Sequence, residues 1–106
     1  MAEMSRVEML TQFLKENPND SFARYGLAME YTKTGDADRA LQEFGKLLEV
    51  NPDYTAGYFM AAQTLAKSGR NHEARKMLTE GIASAARTGN DHAKSEMQAM
   101  LEELIT

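Results

Sequence analysis

The side chains best suited to chemistry here are two histidines, an adjacent carboxylate pair and eight methionines. His72 lies between Asn71 and Glu73, and His92 follows Asn90-Asp91. A metal site needs several convergent ligands, and no spacing brings the two imidazoles together. Each reads as a surface histidine near a helix start. Glu102-Glu103 would suit acid–base work if the two faced one another. Successive helical residues point about 100° apart, so the pair reads as a solvated face. A glycine-rich phosphate loop and a Ser/His/Asp set in a supporting context are both missing. The expectation is a chain without catalysis, cofactor or metal.

Methionine suits surfaces that accept varied partners, because its side chain is flexible and polarizable. Met77 and Met97 fall on apolar stripes and are assigned to the core. Met29 and Met60 are open to either reading.

Bulk properties narrow the partners. The net charge is −4 over 106 residues, with basic residues scattered among acidic ones. A nucleic-acid partner would call for a basic stripe to neutralise phosphates, so none is expected. Glu3 and Glu8 interrupt the start where a signal peptide needs apolar residues. No apolar run approaches the roughly 20 residues of a membrane span. Cysteine is absent, which fits a reducing compartment. A cytoplasmic protein is expected, though a Cys-free periplasmic one would look the same.

The elements that position these residues follow from a repeat. Ala28, Lys33, Gly35 and Ala40 return 34 residues later as Ala62, Lys67, Gly69 and Ala74, and Asn17-Pro18 returns as Asn51-Pro52. Identity at one fixed offset, in small and turn-forming residues, marks a stacked repeat. Apolar spacing predicts helices over about 3–16, 20–34, 37–49, 54–68, 71–88 and 91–105. Proline after Asn17 and Asn51 stops the first and third, and Gly35, Gly69 and Gly89 stop three others. Asp20 and Ser21 supply N-cap chemistry for the second. The sixth carries Ala93, Met97, Met100, Leu101, Leu104 and Ile105 on one arc. Small residues at Ala28, Ala40, Ala62 and Ala74 would let paired helices approach closely. Tyr31, Phe44, Leu65 and Leu78 would fill the space between pairs, and one pair cannot bury both its faces.

This pattern resembles the tetratricopeptide repeat family, whose unit is a helix–turn–helix of 34 residues. Leu27, Ala28, Tyr31, Ala40, Phe44 and Pro52 stand at signature positions of a first repeat, 21–54. Tyr58, Ala62, Leu65, Ala74 and Leu78 do so in a second, 55–88. Arg24 stands where the family favours Trp, Leu47 where it favours Ala, and the second repeat departs at Gly81 and Ala86. Residues 1–20 look like a truncated preceding repeat, and 89–106 like a capping helix. The implied fold is all-α: a right-handed superhelix of about six antiparallel helices in one domain, 1–106. Arg6 occupies a small-residue position of the truncated repeat, tolerable where no helix packs against it. The first helix therefore reads as a true end, with one flank of its wide apolar arc, around Met4 and Met9, open.

The resemblance also implies a function. In the family, the first helices of successive repeats line a concave groove that holds peptides. Its positions fall here on Phe22, Tyr25, Met29 and Lys33, then on Ala56, Phe59, Met60, Gln63 and Lys67. Phe22, Tyr25 and Phe59 lie outside the core stripe, so they either face the groove or pack between repeats. Members that capture carboxylate tails use Lys and Asn at places held here by Tyr25, Met29 and Met60, with Lys94 alone of the right type. The expected partner is a protein or peptide with apolar side chains and an acidic flank near Lys33 and Lys67. Two other readings stand beside this one: a homodimer through the first helix, and a regulatory domain of a larger protein.

Overall fold

A computed structural model describes residues 4–105, and among them six α-helices form and no strand. They are α1 (Arg6–Glu16), α2 (Ser21–Lys33), α3 (Ala37–Val50), α4 (Thr55–Lys67), α5 (Asn71–Thr88) and α6 (Asp91–Ile105). Each follows the expected span closely except α1, which begins later than residue 3 (itself outside the described residues). Ser5 fixes that start. Its hydroxyl accepts from Glu8 N at 3.1 Å, and Glu8 Oε1 accepts from Ser5 N at 3.4 Å, a reciprocal capping box. Asp20 caps α2 by accepting from Ala23 N at 2.9 Å, and Asp36 caps α3 through Arg39 N at 3.2 Å. Gly35 and Gly69 end the turns after α2 and α4 at φ 78° and 77°, a region that side-chain-bearing residues rarely enter.

Consecutive helices pack on one another, giving a stack of 51 × 28 × 19 Å. Ala28, Ala40, Ala62 and Ala74 are fully buried, which is what close antiparallel contact requires. The core falls into three clusters along the stack. One joins Leu14 to Ala23 and Leu27, and one surrounds Phe44 and Leu47. The third surrounds Tyr58, Leu78 and Met97, and half-buried Met77 touches the second and third alike. Ile105 is the exception to the α6 arc: as the last residue of its helix it lies exposed.

Size complementarity explains one departure from the repeat. Leu47 of α3 leans over Gly57 of α4, where an added Cβ would lie 3.1 Å from Leu47 Cδ2. One repeat on from Leu47 stands Gly81, and there the bulk comes from the other side. A Cβ on Gly81 would lie 2.6 Å from Met97 Sδ and 2.6 Å from Tyr58 Cβ. Large meets small in both places, with the large residue exchanged between helices.

Polar groups inside the stack are paired. Arg24 of α2 meets Glu43 of α3 at 2.5 Å, both side chains nearly buried at 14% and 11% exposure. Thr55 and Ser84 share a buried hydrogen bond of 3.0 Å between α4 and α5. No buried side-chain polar atom among the described residues lacks a partner.

Candidate functional site

The first and second helices of each pair occupy different faces of the stack, so α2 and α4 present their free sides together. Three depressions open along that face, flanked by α1 at one end and α6 at the other. The first, about 720 Å³ between α1 and α2, includes Phe22, Tyr25, Met29 and Lys33 in its lining. The second, about 440 Å³, has Lys33 together with Met60, Gln63 and Lys67. The third, about 550 Å³ between α4 and α6, has Phe59, Gln63 and Lys67. Lys33 belongs to the first two, and Gln63 and Lys67 to the last two. Neighbouring depressions thus share lining residues, the series is called the trough below, and each of Phe22, Tyr25, Met29, Lys33, Phe59, Met60, Gln63 and Lys67 lines at least one of them. Ala56 is exposed but lines none of the three.

The three aromatics divide between the two expectations. Phe22 is 79% exposed. Tyr25 is half-buried and packs between the pairs: its ring lies 5.3 Å from Tyr54 and meets Phe44 edge-on at 6.2 Å. Burial, and then the neighbouring Tyr54, raise the Tyr25 pKa above its ordinary value. Phe59 is half-buried against the Tyr58 cluster while lining the trough. Tyr25 is therefore both wall and support, whereas Phe22 is wall alone.

Charge is unevenly spread along the trough. Glu30 accepts two cations, Arg6 Nε at 3.3 Å and Lys33 Nζ at 3.2 Å, leaving that group with one excess positive charge. Lys67 adds another on the same side. Beyond it, α6 contributes Glu96 and Glu103 to the third depression. The two flanking helices are what sequence reasoning missed. Arg6, Leu10 and Phe13 of α1 form a wall of the first depression, and Met100 of α6 a wall of the third. Only the three-dimensional arrangement reveals them, since neither helix belongs to a complete repeat.

Among the described residues no three His, Cys, Asp or Glu side chains gather in a way that could hold a metal. His92 lies on the surface, 3.1 Å from Glu96 within its own helix, and His72 is exposed on α5. No described helix is long and apolar enough to cross a membrane.

Helices of this length, stacked as antiparallel pairs with a trough along one face, define an α-helical repeat protein. Residues 31–101 match the tetratricopeptide repeat family. A TPR repeat-containing protein of Pseudomonas aeruginosa is 31% identical over 98 residues, covering 92% of this chain and 93% of that one. The solution structure of a tetratricopeptide repeat domain protein from Salinibacter ruber is 33% identical, covers 82% of this chain and 88% of its own, and superposes with a TM-score of 0.77. PcrH, solved in complex with the chaperone binding region of PopD, shares the fold at a TM-score of 0.87 and 19% identity, over 93% of this chain and 75% of that one. The chain belongs to the tetratricopeptide repeat family.

Proposed function

We propose that this chain is a non-catalytic protein-interaction module that receives a segment of another protein in the trough along α2 and α4. The observation that carries this reading is Phe22, a large aromatic 79% exposed on an apolar wall shared with Met29. Exposed aromatic surface of this kind is enriched at interfaces. The bound segment offers apolar side chains to Phe22, Met29, Phe59 and Met60, and an acidic flank to Lys33 and Lys67. Support for a protein ligand also comes from the shared fold, which in PcrH accompanies binding of a PopD segment.

The test is a pair of substitutions with opposite expectations for stability. Phe22→Ala should abolish recovery of the main partner in a pull-down while melting stays at the wild-type temperature. Tyr25→Ala should lower the melting temperature, because its ring packs on Phe44 and Tyr54. Unchanged recovery with Phe22→Ala would move the site elsewhere.

A second reading rests on a different observation. Met9 and Phe13 on α1, with Met4 just before it, are 49%, 46% and 41% exposed, an apolar flank that a second copy of the chain could cover. Light scattering of wild type against Met9→Glu decides it: a dimer dissociated by the substitution supports self-association, and a monomer in both excludes it.

A further inference from the structure

The depression between α1 and α2 is open because residue 26 is glycine. Its counterpart 34 residues on is Met60, a long side chain at the same repeat position. Gly26 lies inside α2, where glycine destabilises a helix relative to alanine. Packing does not demand it. A Cβ on Gly26 would meet nothing nearer than the Leu10 methyls at 3.6 and 3.8 Å, ordinary contact distances. This contrasts with Gly81, where a methyl has no room. The chain thus gives up helix stability at position 26 and gains an apolar hollow walled by Leu10, Phe13, Phe22 and Met29. Arg6 and Lys33 stand at one end of that hollow, 62% and 69% exposed, sharing Glu30 between them. The opposite end has Asp20, whose carboxylate is engaged in capping α2.

We infer that this hollow is the anchor pocket of the partner segment: it takes one aromatic or long aliphatic side chain, flanked by an acidic residue that docks on Arg6 and Lys33. The inference rests on the trough reading above and names the chemistry the trough selects. Apolar walls exclude water from the anchor, and the excess positive charge at one end fixes the direction in which the segment lies. From Gly26 to Lys33 is about 10 Å along α2, at 1.5 Å per residue. For an extended segment lying along α2, rising about 3.3 Å per residue, the acid falls about three positions from the anchor.

The test selects a displayed library of random peptides on the intact chain, then measures the recovered peptides by fluorescence anisotropy. Recovered sequences should share a bulky apolar residue with Asp or Glu about three positions away. Gly26→Leu, which fills the hollow from its floor, should weaken them about tenfold or more, as loss of an anchor does. Its melting temperature should match or exceed that of wild type. Arg6→Ala should flatten the salt dependence of binding. If Gly26→Leu folds poorly, Gly26→Ala serves in its place, with a smaller loss in the same direction. Peptides that bind Gly26→Leu as well as wild type but fail on Phe59→Ala would overturn the anchor pocket and leave the trough reading intact. Recovery of no peptide, or of peptides indifferent to both substitutions, would overturn both. Recovered peptides without an acidic preference overturn the proposed chemistry. A wild-type dimer that Gly26→Leu dissociates would make the occupant a second copy and overturn the inference.

Discussion

The hydroxyl of Tyr58 donates to the carbonyl oxygen of Pro52 at 2.7 Å, tying α4 to the turn that precedes it. One repeat earlier the same tie is made by different chemistry: Arg24 Nη2 donates to the Pro18 carbonyl at 3.0 Å. Arginine thus replaces an aromatic residue without loss of the clasp, and its other nitrogen holds Glu43. Removing the Tyr58 hydroxyl by Tyr58→Phe should cost about 1 kcal/mol, the net worth of one hydrogen bond. Arg24→Leu should cost about 3 kcal/mol, because Glu43 keeps only the longer contact to Lys46, 3.5 Å, in a nearly buried place. Urea midpoints of the two variants, compared with wild type, check the order.

Two glycines inside helices should respond oppositely to alanine. Gly26→Ala should stabilise by up to about 1 kcal/mol, since the methyl meets only ordinary contacts. Gly81→Ala should destabilise by about 1–3 kcal/mol, because the methyl drives into Met97 and Tyr58 in a packed interior. Thermal melts of both variants measure the difference, and equal shifts would contradict the packing described for α4, α5 and α6.

Deleting residues 90–106 should remove more than a cap. Met97 is fully buried and packs with Tyr58, Ala62 and Leu78, so its loss opens the third core cluster. Exposed apolar surface of a terminal repeat invites aggregation. The expected result is loss of cooperative unfolding by circular dichroism and growth of large species in light scattering. A truncated chain that stays monomeric and melts sharply would show the cluster to be held by α4 and α5 alone.

Alkaline pH should destabilise the fold through its tyrosines. Burial raises the pKa values of Tyr25, Tyr54 and Tyr58 above the ordinary 10.0, as the phenolate is poorly solvated inside the stack. Well below pH 10 each is protonated in both folded and unfolded states, and the contribution is fully present. As the pH rises further, the unfolded chain ionises first and stability is lost through the folded-state pKa values. The melting temperature should therefore begin to fall as the pH approaches 10 and go on falling above it, and Tyr25→Phe should lessen the drop.

Much of this architecture was legible in the sequence, because the fixed offset and helical spacing belong to single residues in register. The alanines at helix contacts and the glycine stops lie where the offset puts them. Ser5 and Glu8 carried a capping-box signal three residues apart that places the start of α1, yet apolar spacing alone extended the helix to residue 3. Other features depend on pairs that spacing does not show. The Arg24–Glu43 contact joins residues 19 apart across a turn, and neither residue type announces burial. Gly81 reads as a departure until Met97, from outside the repeat, is seen filling its place. Tyr25 reads as groove or core, and its contacts with Tyr54 and Phe44 make it both.

The placement of α1 has a kinetic consequence. It packs chiefly on α2, through a small cluster of Leu14, Ala23 and Leu27, whereas α4 is held by helices on several sides. Opening α1 alone therefore takes less free energy than unfolding the stack, and its amides should exchange with solvent before those of α4. Since α1 supplies Arg6, Leu10 and Phe13 to the first depression, every moment it is open removes that wall. The measured dissociation constant at this end is then the intrinsic one divided by the closed fraction, and whatever clamps α1 shut acts as an enhancer without touching the ligand.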